Sequence, residues 1–331
     1  MKYFFEPTGL FVIKIPTEWQ YKNIAAGYKE VSPFSFDLYE NSVGAFQISC
    51  YSEEEKPNKR KGRIQNYNTK NLEFSKNRME DDGFIMHLWY AVVEDHFFMA
   101  KYIYNKKNEN KPKINLELEK VEKALSTLEL ISHDKRKLAL QFDKYDKFMA
   151  SLFATYDLKN RAIKCKSLIE LVIIIANQID AFLRMSIVLN KQIENETEEI
   201  DISLLYQGEK DSPIMEREIY RQSRKLGIID VAIFDKLEEL YMERNKVVHR
   251  FVITDFKTRD LFKIVYDYEI ICETVRLSLK KVEDLQYQKG IGVWGGSINP
   301  RVEPSEKDLN LIFSQINDKH LIRKLNRKIN N

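Results

Sequence analysis

The chain has 331 residues, 31% of them charged, and a formal net charge of +3, a length that accommodates two domains. So small a net charge does not by itself mark a nucleic-acid-binding protein, and any such role must rest on local features. The three cysteines form no CxxC pair, no apolar run approaches the roughly 18 residues of a membrane span, and the N-terminus resembles no secretion signal. These features predict a cytoplasmic protein without a membrane segment.

The first third of the chain has the alternating pattern of β-strands, rich in aromatic and β-branched residues. The predicted strands are residues 10–16, 34–40, 44–52, 83–93 and 96–104. Short turns within this series favour antiparallel pairing. The period then changes at 114–131, where apolar residues recur every three or four positions, as in a helix with one buried stripe. We therefore expect residues 1–132 to form an α+β domain, an antiparallel sheet plus a helix, with a regulatory or recognition role.

Two features of this half could bind ligands, but each has a simpler interpretation. The loop at 53–71 holds five clustered lysines and arginines that could contact phosphates, although a solvated surface loop is the more common case. His87 and His96 lie on or beside adjacent predicted strands and could meet, but they lack a further ligand. Cross-strand packing is the favoured interpretation, and we predict neither a metal site nor a cofactor.

Beyond a polar junction at 132–137 the pattern is helical almost throughout. The predicted helices are 158–194, 214–227 capped by Ser212-Pro213 and closed by Gly227, 228–250 starting near Asp230, and 257–285. Four helices in this span predict an all-α bundle over 140–286. In the remaining tail, 287–331, we expect a turn or tethered loop at "GIGVWGG" and a short basic helix.

The segment "YMERNKVVHR" places three polar groups near the end of a predicted helix. Asn245 and His249 are four positions apart and share a face, whereas Arg244 falls on the apolar stripe. A charge on such a stripe needs a partner, because an uncompensated buried charge costs several kcal/mol. Asp180, an isolated acid in the most apolar helix, is the expected partner. Neighbouring polar residues that could contact a substrate are Asn177, Arg184, Lys246 and Arg250.

Two interpretations of these residues remain open. The functional one is RNA cleavage without a metal, in which His249 moves a proton to or from the ribose and Arg244 binds the phosphorane. Asn245 would orient the histidine or donate to a phosphate oxygen. The structural one is an ordinary polar helix end, in which Arg244 belongs to a buried ion pair and His249 caps or packs.

The sequence "RNKVVH" at 244–249 resembles the Arg-polar-x₃-His motif of HEPN domains, which are helical bundles found in many bacterial toxin and antiviral ribonucleases. The long apolar helix with its embedded acid resembles the first HEPN helix, and the resemblance covers about 145–285. It implies a metal-independent endoribonuclease that dimerises through the bundle, so that two motifs meet at one cleft. Arg244, Asn245 and His249 would take the motif roles and Asp180 that of the supporting acid.

The resemblance also leaves room for other outcomes. Many HEPN domains are inactive interaction or dimerisation modules, and some active ones are controlled by a partner protein. The tyrosine that certain HEPN toxins carry two residues after the histidine is Phe251 here, so control by modification of that tyrosine is in doubt. "IKIPTEWQY" at 13–21, with the strands and helix around it, faintly resembles PsbP/Mog1-type α+β domains.

Overall fold

The computed structural model divides after Leu140 into two compact units, which are described separately. An antiparallel sheet dominates the first unit and helices the second, so the predicted fold class is confirmed. The residues that the structure describes are 1–25, 29, 31–38, 41–51, 73–93, 96–208 and 211–295.

The first unit is built on an antiparallel sheet with strand order β3-β4-β5-β8-β7-β6, and β1, β2 and β9 form a second, smaller sheet. The elements are β1 (Lys2–Phe5), β2 (Phe11–Ile15), β3 (Trp19–Tyr21), α1 (Lys22–Ala25), β4 (Phe34–Leu38), β5 (Ala45–Tyr51), β6 (Ser75–Asp81), β7 (Phe84–Val93), β8 (His96–Asn105), α2 (Pro112–Leu125) and β9 (Glu129–Leu130). The five predicted strands and the antiparallel pairing of β4 with β5 and β7 with β8 are confirmed. Strand β6 was not predicted, because its sequence SKNRMED is exposed throughout and lacks an apolar alternation.

The helix α2 covers the sheet with its buried stripe, which includes Ile114, Val121 and Leu125. The predicted helix extended to residue 131, but α2 ends at Leu125 and the chain turns into β9. On the same side, Trp19 donates its indole N–H to Glu117 at 2.8 Å, which satisfies a polar pair in this core. The helix is thus fixed to the sheet by apolar contacts and by one buried hydrogen bond.

The two histidines of the sheet do not meet. His87 lies opposite Tyr102 and His96 lies opposite Val93, at the other end of the β7–β8 ladder. His87 stacks on Trp89 and Tyr104. Burial, and then the nearby Arg78 charge, lower its pKa. Within the described residues no cluster of three or more His, Cys, Asp or Glu side chains is arranged to hold a metal ion.

The second unit is a helical bundle. Its main helices are α3 (His133–Lys164), which enters this unit at Gln141, α4 (Leu168–Glu194), α5 (Glu216–Lys225), α6 (Val231–Arg250) and α7 (Thr258–Lys289). The apolar α4 contacts α5, α6 and α7 and forms the centre of the core. It is long and apolar enough to cross a membrane, but 67% of its most apolar window is buried. That burial is typical of the core helix of a bundle.

The helix boundaries confirm some predictions and correct others. Asp230 caps α6 by accepting from the Ile233 amide at 2.8 Å, and Gly227 has a φ of 69°, so both predicted boundaries are confirmed. The continuous helix predicted for 158–194 is wrong, because the chain breaks at Lys166, which has a φ of 55°. The predicted cap at Ser212-Pro213 is also wrong, since α5 begins at Glu216.

Two buried glutamines bind the backbone of the glycine-rich segment after α7. The predicted tethered loop is therefore confirmed for the part that the structure describes, residues 290–295. Gln286 donates to Gln192 Oε1 at 2.9 Å and accepts from the Trp294 amide at 3.1 Å, while Gln192 also accepts from the Val293 amide at 3.3 Å. The basic helix predicted for the rest of the tail and the whole of the basic loop at 53–71 lie outside the described residues.

Replacing Gly292 with Ala is expected to destabilise the second unit by about 2–4 kcal/mol. Gly292 has a φ of +78°, and a Cβ there would lie 2.8 Å from Gln192 Oε1 and even closer to the Gln286 amide. Thermal denaturation measures the loss. Gly227→Ala is the matched control, because Gly227 also has a positive φ but nothing lies within 4 Å of its Cβ position. An equal loss of stability in both variants would show that the glutamine contacts around Gly292 add nothing to the stability of the second unit.

Candidate functional site

Helix α6 carries Arg244 on its buried stripe. Leu237, Leu240 and Val247 are the buried residues of this helix, and Arg244 falls between the last two at spacings of four and three. The predicted position of the guanidinium on an apolar stripe is therefore confirmed. Val248, which the sequence pattern also placed on this stripe, is 40% exposed, whereas Val247 is 1% exposed. A half-buried cation in this position must be compensated by a neighbouring group.

The partner of Arg244 is Glu216, in the first turn of α5. Arg244 donates from Nη1 to Glu216 Oε2. Its Nη2 lies 3.3 Å from Asn245 Oδ1, and its guanidinium lies over the Tyr241 ring with 4.8 Å to the centroid. The predicted pairing with Asp180 is wrong, because the chain returns from α4 to place an acid of α5 against α6. No periodic signal in the sequence marked Glu216 as that acid.

Glu216 is also bound on its second carboxylate oxygen, which accepts from the Tyr220 hydroxyl. Tyr220 is buried, and burial together with the Glu216 charge raises the pKa of its phenol. For Arg244, burial alone would lower the pKa, but the Glu216 carboxylate outweighs it and the pKa is raised. Arg244 therefore stays charged, and with Glu216 and Tyr220 it forms a buried polar network.

Asp180 pairs with Arg184 of the same helix. Arg184 donates from Nε to Asp180 Oδ2 at 2.6 Å, and its two other nitrogens donate to the carbonyls of Leu204 at 3.1 Å and Ile214 at 2.8 Å. Since all three nitrogens are engaged, Arg184 fixes the connection between α4 and α5 to the bundle. A substrate contact of the kind predicted for Arg184 would have to compete with these bonds.

Asp180 keeps one carboxylate oxygen, Oδ1, that is buried and makes no hydrogen bond among the described residues. Burial raises the pKa of this carboxyl, Arg184 opposes the rise, and the nearby Glu216 charge adds to it. Arg244 acts electrostatically on the same carboxyl. Asp180 thus belongs to the neighbourhood of Arg244 and Glu216 without being the ion-pair partner of Arg244.

The remaining predicted site residues lie at the surface. His249 and Arg250 are exposed at the C-terminal end of α6, and Asn177 is exposed on α4. Lys246 is also exposed and pairs with Glu243 at 2.7 Å. Asn245 is half-buried. His249 therefore lies one turn beyond Asn245 at the solvent end of a helix whose buried stripe carries Arg244.

A cavity of about 290 Å³ opens beside Asp180 and Arg184. Its other walls are Phe148 of α3 and two parts of the α4–α5 connection, namely residues 203–207 and then Asp211, Ser212 and Ile214. The sequence analysis treated this connection only as a polar, acidic link and missed the cavity. No residue pattern could have located it, because it depends on how an irregular segment folds back over two helices.

Comparison with known proteins does not assign the chain to a family. No family model matches the chain, and no curated protein matches it. A crystal structure of a protein from Bacteroides thetaiotaomicron VPI-5482 is similar over 75% of this chain and 79% of that one, with 14% sequence identity and a TM-score of 0.27. A likeness at that level supports no inference about fold or function. The HEPN resemblance stays a prediction that rests on the motif and the helices around it.

Proposed function

We propose that this chain is a metal-independent endoribonuclease of the HEPN type, acting in the cytoplasm in a bacterial toxin or antiviral defence role. The observation that supports this most is the placement of the three motif residues. His249 is exposed on the same helix face as Asn245, and Arg244 is charged and held in the adjoining network. An exposed imidazole and a fixed guanidinium on the last turns of one helix are the groups that proton transfer and phosphate binding without a cofactor require.

The proposed reaction is an internal transfer within the RNA. His249 of one protomer removes the proton of a ribose 2′-hydroxyl, and the freed oxygen attacks the adjacent phosphorus. The bond from phosphorus to the 5′ oxygen breaks, and that oxygen takes a proton from the protonated His249 of a second protomer. The products are a 2′,3′-cyclic phosphate and a 5′-hydroxyl, and no metal or oxidant enters the balance.

Arg244 is suited to stabilise the charge of the phosphorane. A guanidinium has five N–H donors, and the contacts with Glu216 and Asn245 leave others that an anion can accept. Glu216 fixes the plane of the guanidinium, so Arg244 would bind phosphate from a fixed position. Asn245 accepts from Arg244 and lies one helical turn before His249, from where it would orient the imidazole or donate to a phosphate oxygen. Asp180 would act as a supporting acid.

The proposal includes a homodimer through the helical bundle. Phe262, Tyr266, Ile270 and Leu277 form an exposed apolar stripe along α7. The turn after the motif adds Val252 and Ile253, which are 93% and 81% exposed. Contiguous exposed apolar surface of this kind is typical of an interaction site. A partner seated there would cover the turn that follows His249 and bring a second motif near the first.

Replacing Tyr266 with Glu is expected to shift the dimer to monomer, because it places a charge in the middle of the apolar stripe. Analytical ultracentrifugation of the full chain at micromolar concentration measures the change, and we expect the dissociation constant to rise at least about 10-fold. Met79→Glu is the control, since Met79 is an exposed apolar residue of β6 in the first unit. If the wild type is monomeric at every concentration, the proposed cleft formed by the motifs of two protomers does not exist.

The test of the function is cleavage of labelled total RNA and tRNA by the purified chain in excess EDTA. Cleavage that persists in EDTA and is lost in His249→Ala would support the proposal. An inert wild type, or cleavage that His249→Ala retains, would overturn it. Size-exclusion chromatography followed by assays across the eluted peak guards against a contaminating nuclease.

A second candidate function is a non-catalytic HEPN interaction or dimerisation module. The observation that favours it is the pairing of Arg244 with Glu216 in a network that also contains the buried Tyr220, an arrangement that a purely structural role would require. In either case we propose that the N-terminal unit is a regulatory or recognition domain, with a further protein as a possible partner. The two candidates differ in whether the wild type cleaves RNA.

A further inference from the structure

Two turns of the chain lie at the end of the bundle that carries the RNKVVH motif. One is the α6–α7 turn, which directly follows the motif. The other is the α3–α4 turn, because α3 and α7 are antiparallel neighbours. Thr155 of α3 accepts from Gln178 of α4 at 2.9 Å, and Gln178 Oε1 lies 3.9 Å from the Cys272 sulfur of α7. One helical turn further along α3, Lys159 donates to Glu269 of α7 at 2.6 Å, so α3 ends where α7 begins.

This end of the bundle carries an excess of positive charge. We name residues 161–170 and 249–263, which form the two turns and the adjoining helix ends, the basic end. Its cations are Arg161, Lys164, Lys166, Arg250, Lys257, Arg259 and Lys263, and its carboxylates are Glu170, Asp255 and Asp260. Because seven cations face three carboxylates, the net charge is +4, more than the +3 of the whole chain. At the opposite end of α4, residues 194–201 carry five carboxylates and no cation, so the field of the unit attracts an anion to the motif.

The cations of the basic end are exposed, and all but one are unpaired. Arg259 lies 3.8 Å from Asp260, its neighbour in sequence, whereas the other six form no ion pair in the part of the chain that the structure describes. Cations further from this end are paired, as in Lys159–Glu269, Arg217–Glu238, Lys236–Asp267 and Arg276–Glu273. Exposed cations without an intramolecular partner are the groups that can neutralise the phosphates of a nucleic acid.

The carboxylates leave much of this charge uncompensated. Asp260 accepts from the Lys257 amide at 2.9 Å and so closes the first turn of α7. Glu170 and Asp255 are exposed, one in each segment of the basic end. Each segment therefore keeps a net charge of +2. A polyanion that crosses this end of the bundle would meet positive charge at both turns.

We propose that the basic end binds the phosphates of the RNA strand on either side of the bond cleaved at His249. Of its seven cations, the sequence predicted a substrate contact for Arg250 alone. An RNA strand is favoured over an anionic membrane because the surface includes His249. In addition, Val252 and Ile253, the exposed apolar residues that would enter a bilayer, belong to the proposed dimer contact. The inference rests on the proposed function, since it assigns these cations to the substrate of the same site.

The salt dependence of RNA binding measures how many phosphates these cations contact. Fluorescence anisotropy of a labelled RNA oligonucleotide would be recorded in EDTA over a series of KCl concentrations. The full chain would carry His249→Ala in every sample, so that the RNA stays intact. The logarithm of the association constant falls with the logarithm of the salt concentration by about 0.7 for each phosphate contacted on a single strand. We expect an absolute slope of at least about 2, and a chain that does not bind RNA would overturn the inference.

The variant Arg259→Gln/Lys263→Gln removes two cations from the start of α7. It is expected to lower the absolute slope by about 1.4 and the affinity near physiological salt at least about 5-fold. Lys281→Gln/Lys289→Gln is the matched control, because it removes two exposed cations from the other end of the same helix, both without an ion pair among the described residues. The control should keep the slope of the parent chain. Equal slopes in the two variants would contradict the assignment.

A second variant, on α3, makes the test independent of any change in α7. Arg161→Gln/Lys164→Gln removes two exposed cations beside the α3–α4 turn, and the absolute slope is again expected to fall by about 1.4. A thermal melt of each variant checks that the fold is kept. An unchanged slope in this variant would show that the RNA does not reach the α3–α4 turn, and a surface that spans both turns would be wrong.

Vesicles of phosphatidylserine and phosphatidylcholine distinguish RNA from an anionic membrane as the partner. The full chain and both variants would be titrated with these vesicles under the same salt conditions. Vesicle binding that both variants lose, in a parent chain that does not bind RNA, would replace the RNA by a membrane surface.

The outcomes for the basic end and for the nuclease are separable. If the wild type cleaves RNA through His249 but neither variant changes the slope, the surface is wrong and the nuclease stands. If the slopes change as expected but the wild type leaves RNA intact, the proposed catalysis fails and the basic end remains an RNA-binding surface.

Discussion

Replacing His249 with Ala is expected to reduce RNA cleavage at least about 100-fold, the usual contribution of a positioned general acid or base. His249 is exposed at the end of α6 and lies outside the buried stripe, so its loss should leave the fold intact. We expect the melting temperature to change by no more than about 1 °C, as for most surface substitutions. Single-turnover cleavage of one labelled RNA in EDTA, with a thermal melt of each variant, measures both quantities.

The matched control for this variant is His133→Ala, since His133 is also an exposed histidine at a helix end. It should cleave at the wild-type rate. A His249→Ala variant that cleaves as fast as His133→Ala would remove the proton-transfer role. A loss of activity accompanied by a lower melting temperature would instead point to a packing role for the imidazole.

Replacing Arg244 with Ala is expected to lower the free energy of unfolding of the second unit by about 2–4 kcal/mol and to abolish cleavage as well. The side chains of Arg244 and Glu216 are 19% and 14% exposed, so the variant leaves a nearly buried carboxylate without its cation. For a unit of this size, that cost lowers the melting temperature by roughly 4–16 °C. Chemical denaturation followed by helical circular dichroism gives the free energy.

Arg217→Ala is the control for the pair, because Arg217 lies next to Glu216 and binds Glu238 across α5 and α6 with 44% of its side chain exposed. Such a pair contributes about 1 kcal/mol or less. If Arg244→Ala costs no more than Arg217→Ala, the Arg244–Glu216 pair does not stabilise the bundle. A double-mutant cycle with Glu216→Gln then separates the pair's coupling from the cost of an orphaned carboxylate.

The sequence predicted those parts of the fold that depend on local pattern. The alternation of apolar and polar residues predicted the strands that bury one face. It did not predict β6, because this exposed edge strand has no alternating apolar residues. Helical spacing predicted the bundle but not the break between α3 and α4, where Lys166 adopts a φ of 55° and neither glycine nor proline signals the turn. Such a turn is fixed by tertiary packing rather than by local propensity.

The same limit separates what could be predicted of the candidate site from what could not. The stripe of α6 showed that Arg244 needs a partner, which is a local inference from one helix. Which acid supplies it depends on how the connection between α4 and α5 folds back, and Arg184 fixes that path through the carbonyls of Leu204 and Ile214. Glu216 and the cavity beside Asp180 both follow from that irregular segment.

The proposal that Arg244, Asn245 and His249 cleave RNA without a metal is tested most directly by the chemistry of the fragment ends. Labelled RNA would be incubated with the full chain in excess EDTA, and the termini identified by mass spectrometry. Attack by the 2′-hydroxyl predicts fragments with a 2′,3′-cyclic phosphate at one end and a 5′-hydroxyl at the other. Fragments with a 3′-hydroxyl and a 5′-phosphate, or intact RNA, would contradict the proposal.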